Sequence, residues 1–525
     1  MRPRARGTRT QPSALLPLMA GGGGYSGASS AKRALREWFP LDRSADYDTV
    51  PDLPVLRSRS RDLIRNSPIA GGAVGTVVTS VVGSGLALQA AIDRDVLGLD
   101  EKQAKEWERR AELIFRHWCT RADIRRRQDF GQIQDTALRS QLASGDVLLL
   151  RRHRKDPGDL LGLKLQILEA DRVATPPDRS MDPRVVDGVE QDVDGAAVAF
   201  HVRNRHRYDW NAEVETWTRW PVLGPKSRLR QAIFLAELER PGQTRGVPYL
   251  APVIEPLKQL ERYTEAELAA AVISSFFTIA VTTEGAEGLA NATADPTAVD
   301  DGTVNSPTHD LKLAPAAILD LAPGEGVTPI DPARPNSSFD PFVMAVLTQV
   351  GMRLEIPFEV LTKHFKASYS AARGALAEAW RFFLKRRDYL GRDLCDPSYE
   401  WVIEESVLSG YLVAPGFFTD PIIRQAWLGA NWVGSPKGHI DPVKEVTAVG
   451  LMKDRNWISD GEAVQELRGV AYEDVAQRRK RDALVLEDNG LTAAAQTEPS
   501  ATPAASSDDD EADQNPDVPE EEDES

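Results

Sequence analysis

The sequence predicts an α+β fold in which helices predominate. Two long runs, 338–354 and 370–394, carry apolar residues at helical spacing and are separated by a short polar connector. A strand-rich section with a strong hairpin signal lies between residues 146 and 202. Because the chain has 525 residues, it can build more than one hydrophobic core, and we expect about two to four structural units.

Charge is distributed unevenly along the chain, which has a formal net charge of −16 at pH 7. Residues 501–525 contain 11 Asp or Glu and no Lys or Arg, residues 1–33 contain six Lys or Arg and no Asp or Glu, and residues 34–500 therefore carry −11. A tight, sequence-reading DNA binder is normally basic, so the balance argues against that class. The same balance is compatible with a duct through which DNA slides. Dense phosphate contacts would hold the DNA in place, and a mostly acidic or neutral wall with few cations avoids them.

The first 45 residues are rich in Arg, Gly, Ser and Ala and lack apolar periodicity, so we expect a flexible basic arm. The run Ala14–Ala20 follows four arginines, as the apolar part of a secretion signal would. It is only about seven residues long and contains Pro17, so an arm is favoured over a signal. No run approaches the roughly 18 apolar residues that span a bilayer.

Helices are predicted on both sides of the Ser67-Pro68 break, the first rich in arginine and the second ending at Gly83-Ser84-Gly85. The second helix is supported by apolar residues at helical spacing, namely Ala70, Val74, Val77, Val78, Val81 and Val82. A further helix is predicted over 101–120, with Trp107, Leu113, Ile114 and Trp118 on one face. Its basic continuation 121–127 fits a nucleic-acid patch, but a solvated helix end balanced by Asp123, Asp129 and upstream glutamates is favoured.

Strands are predicted at Asp146–Leu150 and Leu163–Leu168, and a hairpin over 188–202 turns at Asp194-Gly195. The run Asp192-x-Asp194-Gly195 also begins like a calcium loop. The remaining ligands and the distal glutamate are missing, so a plain turn is favoured.

The motif Arg-Pro-Gly-Gln-Thr-Arg-Gly-Val-Pro at 240–248 predicts a turn that leads into a helix, which is expected to start or kink at Pro256 and to run to Phe277. Over that length the helix would measure about 33 Å. Residues 281–333 then lose periodicity and are too long for a simple connector in a compact domain.

The two long helical runs flank a basic connector. Ser338 is a good N-cap for the first run, and Ile356-Pro357 ends it. Residues 362–369 then place Lys363, His364 and Lys366 before the second run begins near Ser370.

The C-terminal part is predicted to be helical and then acidic. Asp441-Pro442 marks a helix start, and the capping box Ser459-Asp460-Gly461-Glu462 opens a last helix that runs to about Val485. Residues 487–525 are rich in Ala, Thr, Pro, Asp and Glu, and we expect them to be a disordered acidic tail.

Motifs for enzymatic chemistry are absent from the sequence. It has no phosphate-binding G-x-x-x-x-G-K-[ST] loop, no G-x-S-x-G elbow and no H-E-x-x-H helix. The seven histidines do not pair with Cys or carboxylates at metal-ligand spacing, and Cys119 and Cys395 stand far apart. We therefore expect no catalytic residues, no metal and no cofactor, and two packed thiols.

Four blocks of the sequence, 60–85, 240–252, 334–381 and 432–445, resemble the portal proteins of lambda-type tailed bacteriophages. The resemblance is carried by Arg61-Asp62-Leu63, by the 240–248 motif, and by the run from Ile356-Pro357 through Leu361-Thr362 to Tyr369-Ser370. It covers about residues 46–486. Pro256 departs from the family pattern.

The resemblance implies an α+β, mostly helical portal fold with wing, stem helices, clip, tunnel loop and helix, and helical crown. The implied divisions are a basic arm (1–45), wing (46–247), first stem helix (248–280), clip (281–337), second stem helix (338–355), tunnel loop and long internal helix (356–396), wing return (397–440), crown helices (441–486) and acidic tail (487–525).

The resemblance also implies a function and partners. The protein is expected to form a ring, dodecameric in the particle, at one capsid vertex of the virion, after assembly in the bacterial cytoplasm. Double-stranded DNA would pass through it during packaging and ejection, and it would contact the terminase large subunit, head–tail connector proteins, and major capsid and scaffold proteins, but no membrane.

The residues expected nearest the DNA are Lys363, His364 and Lys366 in the implied tunnel loop, followed by Lys258 and Arg262 on the first stem helix. The alternative for all five is ordinary solvated or intersubunit salt-bridging charge. Two other classes of protein stay open at this point: a scaffold or adaptor that forms no ring, and, disfavoured by the missing phosphate loop, a packaging ATPase or nuclease.

Overall fold

The computed structural model describes residues 25–29, 32–209, 214–275, 279–283, 325–329, 338–365, 368–438, 442–470 and 472–489. The chain divides into two compact units, Met1–Asp441 and Pro442–Ser525. Helices predominate and the strands form small sheets, so the prediction of a mostly helical α+β fold is confirmed.

The α-helices of the first unit are α1 (Ala45–Thr49), α2 (Leu53–Asn66), α3 (Pro68–Val81), α4 (Arg94–Leu97), α5 (Glu101–Cys119), α6 (Phe130–Ser144), α7 (Ile254–Ser275), α8 (Phe339–Arg353), α9 (Phe358–Thr362), α10 (Tyr369–Leu390), α11 (Asp396–Leu408) and α12 (Pro421–Trp427). Its strands are β1 (Ala87–Ala90), β2 (Asp146–His153), β3 (Leu163–Glu169), β4 (Val185–Val186), β5 (Val189–Gln191), β6 (Ala197–Arg203), β7 (Trp217–Pro221), β8 (Ala232–Ala236), β9 (Ile279–Thr283), β10 (Glu325–Pro329) and β11 (Ala430–Val433).

The predicted break between α2 and α3 is confirmed. Ser67 caps α3 by accepting a hydrogen bond from the backbone N–H of Ala70, and Pro68 occupies the first helical position, where its missing N–H costs nothing. All six apolar residues predicted for α3 are fully buried. This helix therefore lies inside the main core and can position the elements around it.

Helix α5 follows its predicted bounds and starts with a capping box formed by Asp100 and Gln103. Ile114 and Trp118 are buried as predicted, but Leu113 is 62% exposed. The prediction that Leu113 shares a face with Ile114 and Trp118 is wrong, because at about 100° per residue Leu113 points away from the side on which Ala111, Phe115 and Trp118 are buried.

The strands form antiparallel sheets. In the three-stranded sheet the order is β3-β2-β8, so β2 is central, and its residues Val147, Leu148 and Leu149 are fully buried. In the four-stranded sheet the order is β4-β5-β6-β7.

The predicted hairpin is formed by β5 and β6 and turns through Gly195, which has φ +84°. The Asp192 carboxylate accepts hydrogen bonds from the backbone N–H groups of Asp194 and Ala196, both at 2.9 Å. Asp192 is thus used to close the turn, in agreement with the interpretation that this is a plain turn rather than a calcium loop.

Helices α7 and α8 pack against each other in opposite directions. The Tyr263 ring, in the middle of α7, lies 5.5 Å from that of Phe339 and 5.0 Å from that of Phe342 at the start of α8. Tyr249, just before α7, donates its hydroxyl hydrogen bond to the carbonyl of Leu354, just after α8. Helix α7 is 22 residues long, or about 33 Å, and begins at Ile254, two residues before the predicted start at Pro256. The predicted end at Phe277 lies outside the described residues.

Between these helices the structure describes strands β9 and β10, which pair antiparallel from Ile279 opposite Pro329 to Thr283 opposite Glu325. The rest of the predicted irregular insertion, residues 284–324 and 330–333, and the remainder of the implied clip, residues 334–337, lie outside the described residues.

Helix α10 continues into α11 through a π-helical turn at Gly391–Cys395. The predicted internal helix ends at residue 396, but helical structure runs on to Leu408. Pro397 lacks an N–H and its ring crowds the carbonyl four residues earlier, which an α-helical turn does not tolerate well. The wider π turn accommodates the proline without ending the helix.

The second unit contains α13 (Pro442–Asp454), α14 (Asp460–Arg468) and α15 (Tyr472–Asp488). The predicted capping box at Ser459 and Glu462 is present. The single last helix predicted from it is wrong, because Gly469 adopts φ +60° and ends α14 before α15 begins.

Candidate channel segment and the network that positions it

The connector between α8 and α10 is anchored by buried apolar residues on either side of Pro357. Helix α8 ends where Glu355 takes a left-handed conformation, φ +53°, and the N–H of Ile356 donates back to the carbonyl of Gly351 at 3.0 Å. The side chains of Ile356 and Leu361 are 1% and 7% exposed. The chain therefore leaves α8 in a fixed direction, and α9 is held against the core.

The cations predicted for the DNA channel lie immediately after α9. Lys363 ends that helix with φ +55°, and the N–H of His364 donates to the carbonyl of Glu359 at 3.2 Å. The side chains of Lys363 and His364 are exposed, and the neighbouring Phe365 is 51% exposed. Lys366 lies outside the described residues. The structure thus presents a turn with two basic groups and an aromatic tip to solvent.

The weaker predicted candidates, Lys258 and Arg262, lie one turn apart on the exposed side of α7. Lys258 Nζ donates to Glu261 Oε2 at 2.8 Å, and this hydrogen bond raises the pKa of Lys258. Lys258 is therefore already paired with an acid of its own helix, whereas Lys363 and His364 have no side-chain partner among the described residues.

Two ion pairs fix the ends of the helices on either side of the connector. Arg353 at the end of α8 binds Glu239 at 2.6 Å. On α10, Arg386 binds Glu237 through two hydrogen bonds, the shorter of 2.7 Å.

Arg387 of α10 is buried and donates to the carbonyls of Ser80 and Val81 at 2.8 and 3.0 Å, where α3 ends. A cation at this end of a helix satisfies orphan carbonyls and complements the helix dipole. The connector therefore joins α8 and α10, two helices whose positions are fixed by contacts with other segments of the first unit.

A buried ionic network, centred on Arg245 of the 240–248 motif, holds the turn before α7. The Arg245 guanidinium donates to both carboxylate oxygens of Asp146 at 2.8 Å, and neither side chain is exposed. It also donates to the Asp187 carboxylate at 2.7 Å and to the carbonyls of Ala170 and Val173. Burial alone would lower the pKa of Arg245, but the carboxylates of Asp146 and Asp187 raise it above its ordinary value.

Helix α2 contributes two further cations to the same network. Arg57 donates to the Asp146 carboxylate at 3.1 Å and to the carbonyl of Ser144 at 2.9 Å. Arg61 binds Asp171, and Arg61 holds the pKa of Asp171 below its usual value although burial opposes this. Three guanidinium groups thus meet the three carboxylates of Asp146, Asp171 and Asp187, so the buried charges are balanced.

Two glycines allow the network to close. The backbones of Gly145 and Gly246 touch, and a Cβ added to Gly246 would lie 1.9 Å from the carbonyl oxygen of Gly145. Gly145 also has φ +90°, which favours glycine. The sequence shows the 240–248 motif but gives no signal that Arg245 pairs with Asp146 or that the two glycines meet.

The basic run 121–127 is largely paired with acids. Arg121 lies 3.3 Å from Asp159, and Arg126 lies 2.6 Å from Asp156. The Asp123 carboxylate caps the loop by accepting from the N–H groups of Arg125 and Arg127. These contacts agree with the interpretation as a balanced helix end, although Asp156 and Asp159 supply the balance rather than the upstream glutamates.

One set of potential metal ligands occurs in the described part of the chain: Glu169, Asp171 and His206 each place a ligand atom within 4.8 Å of the others. Asp171 already binds Arg61, whose positive charge competes with a metal ion at that carboxylate. Both cysteines are free thiols, and burial raises the pKa of Cys119 and Cys395. Among the described helices, none combines the length and apolar character needed to cross a bilayer.

The described residues thus combine an antiparallel pair of helices, a solvent-exposed basic turn and a buried network of ion pairs. The family model for the lambda family of phage portal proteins matches residues 31–387. The chain belongs to this family, which confirms the resemblance seen in the sequence. Portal proteins are structural proteins, so the prediction that the chain is not an enzyme is also confirmed.

Curated relatives agree with the assignment. The portal protein of Escherichia phage N15 is 24% identical over 490 residues, which cover 90% of each chain. Portal protein B of Escherichia phage lambda is 21% identical over 498 residues, which cover 91% of this chain and 93% of the relative. Among solved structures, a chain from the neck of a native gene transfer agent particle, computed with C12 symmetry, aligns over 79% of this chain and 93% of its own length with a TM-score of 0.45 and 14% identity.

Proposed function

We propose that this portal protein assembles into a ring, a dodecamer in the particle, at one vertex of the capsid and serves there as the conduit for double-stranded DNA during packaging and ejection. The same ring would dock the terminase large subunit and later the head–tail connector proteins, and would contact the major capsid and scaffold proteins. Assembly would take place in the bacterial cytoplasm. Family membership over residues 31–387 is the observation that carries the proposal.

In this proposal the stem consists of α7 and α8, the clip lies between them, and the wing comprises 46–247 and 397–440. The connector after α9 is the tunnel loop, α10 is the long internal helix, and α13 to α15 form the crown. The antiparallel packing of α7 on α8 and the anchored connector support this division.

Exposed apolar side chains on the stem helices support contacts between copies of the chain. On α7, Leu268 and Val272 are 65% and 49% exposed, and on α8, Phe342, Met344 and Met352 are 51%, 50% and 76% exposed. Neighbouring subunits in a ring would cover these side chains and gain about 25 cal/mol for each Å² of apolar surface removed from water.

The channel residues we propose are Lys363, His364 and Lys366, with Lys258 and Arg262 in a lesser role. A few exposed cations in a chain of net charge −16 would touch the phosphate backbone without holding it. Contacts of this kind are independent of base sequence and weaken as salt increases. The DNA contact would therefore be sparse and sliding.

A cell-free packaging reaction tests the conduit role. Capsid precursors assembled with the wild-type chain should protect genome-length DNA from added nuclease, and precursors assembled without the chain should protect none. Equal protection in both preparations would contradict the proposal.

A further inference from the structure

Helix α15 carries four consecutive cations, Arg478, Arg479, Lys480 and Arg481, and all four side chains are exposed. Within the described part of the chain none of the four forms an ion pair, although Asp474 and Asp482 lie on the same helix. Elsewhere in the same unit, Lys453 pairs with Asp460 at 2.7 Å. We call residues 478–481 the basic run.

The basic run concentrates like charge in a small space. Successive helical residues rise about 1.5 Å and turn about 100°, so the four charges surround the helix within about 5 Å along its axis. Arg478 and Arg481, three residues apart, are neighbours on the helix surface with Cβ atoms about 5–6 Å apart. This distance is shorter than the Debye length of about 8 Å at physiological ionic strength, so these two charges repel each other. A polyanion that binds the run would relieve this repulsion.

The same chain contains a polyanion of suitable size. Residues 508–524 hold 11 Asp or Glu and no Lys or Arg. The connection from the end of α15, residues 489–507, contains 19 residues, which can span up to about 60 Å when extended. Arg481 lies only about 10 Å before the end of the helix. The acidic segment can therefore reach the run on its own chain, where tethering gives it an effective concentration on the order of millimolar.

We propose that the acidic segment 508–524 binds the basic run of α15 and thereby keeps other polyanions, including the phosphate backbone of DNA, away from it. The opposite charges, the lack of ion pairs at the basic run and the short tether all favour this occupant. The inference concerns the second unit alone and does not depend on the ring.

Zero-length cross-linking of the full-length chain with a carbodiimide tests the contact directly. The reagent joins an amine to a carboxylate that touches it, so Lys480 should be linked to a carboxylate of 508–524 at low salt. The link should disappear in 1 M NaCl, where the Debye length falls to about 3 Å. The Lys453–Asp460 pair, 2.7 Å apart, is the internal control for the reaction. Formation of the control link without a Lys480 link, or linkage of the tail to Lys32 of the basic arm instead, would overturn the proposal.

Binding of a fluorescent 20-base-pair duplex tests the consequence. Truncation after Ser507 should raise the affinity of the full ring or monomer for the duplex by about tenfold at low salt, because phosphate contacts then form at the vacated run. Replacing all four cations of the run with Gln in the truncated chain should abolish that gain. An unchanged affinity after truncation, or a gain that persists in the Gln variant, would contradict the proposal.

Discussion

The guanidinium of Arg245 and the carboxylate of Asp146 form a two-pronged ion pair with both N–O distances at 2.8 Å, although 99 residues separate them in the chain. Asp146 is the first residue of the central strand β2, and Arg245 lies in the turn that leads into α7. The pair therefore helps to fix the direction in which α7 leaves the 240–248 turn.

Removal of Arg245 should be strongly destabilising. The substitution Arg245→Ala leaves Asp146 and Asp187 buried without their main partner, and we expect a loss of about 3–5 kcal/mol in the free energy of unfolding. The guanidinium chloride midpoint measures this loss. Arg381→Ala, which removes an exposed pair with Glu378, is the matched control and should change stability by less than about 1 kcal/mol. Equal midpoints for the two variants would refute the structural role assigned to Arg245.

Two glycine-to-alanine substitutions should have opposite effects. Gly246→Ala places a Cβ 1.9 Å from the Gly145 carbonyl oxygen and should cost about 3 kcal/mol or more, because backbone must move to make room. Gly374→Ala, on the exposed side of α10 with nothing within 4 Å of the new Cβ, should stabilise the chain by about 0.5–1 kcal/mol. Thermal unfolding of both variants tests whether Gly246→Ala lowers the melting temperature and Gly374→Ala raises it. A stable Gly246→Ala variant would show that the close backbone contact is not required.

The four-stranded sheet should lose stability in acid through Glu190. Hydrogen bonding from Arg219 lowers the pKa of Glu190 to about 2, although burial opposes the shift, and His201 and Arg179 add to it. Since the folded pKa is depressed, the stabilisation is present above the unfolded pKa of about 4.3 and is lost as the pH falls toward 2.

The variant Glu190→Gln should therefore be less stable than wild type at pH 7 and equally stable near pH 2. Hydrogen exchange of the β6 amides, measured between pH 2 and pH 5 with correction for intrinsic rates, reports the difference. Glu106→Gln, at an exposed position of α5, should follow wild type throughout. A Glu190→Gln variant with the same pH profile as wild type would rule out this linkage.

The connector cations should contribute to DNA packaging and retention but not to particle assembly. The double variant Lys363→Ala/Lys366→Ala should form normal particles but package or retain less DNA, because the basic groups of the turn would be removed while its buried anchors Ile356 and Leu361 are untouched. Nuclease-protected DNA per particle is the measurement. Lys102→Ala/Lys226→Ala removes two exposed lysines elsewhere and should behave as wild type. Normal packaging and retention by the Lys363/Lys366 variant would exclude the tunnel-loop assignment.

Local signals in the sequence were sufficient for the elements that bracket the candidate site. Pro68 and Ser67 set the break before α3, Asp194-Gly195 set the hairpin, and Ile356-Pro357 marked the end of α8. In each case the residue that determines the backbone conformation lies within the element or within a few residues of its end.

Contacts between distant segments were beyond the reach of the sequence. Arg245 has the same local appearance as any arginine in a turn, and its burial depends on Asp146 and on the meeting of Gly145 with Gly246. The continuation of helix past Pro397 depends on a π turn for which the sequence offers no clear signal. The end of α14 at Gly469 did have a signal, since glycine commonly terminates helices, and the helical spacing on both sides obscured it.

The central claim is that this chain forms a portal ring, and negative-stain electron microscopy of the purified full-length protein tests it most directly. We expect closed rings with a central hole wide enough for a DNA duplex. Folded protein that stays monomeric, or that forms only irregular assemblies without a hole at the same concentration, would contradict the claim and favour a scaffold or adaptor that forms no ring.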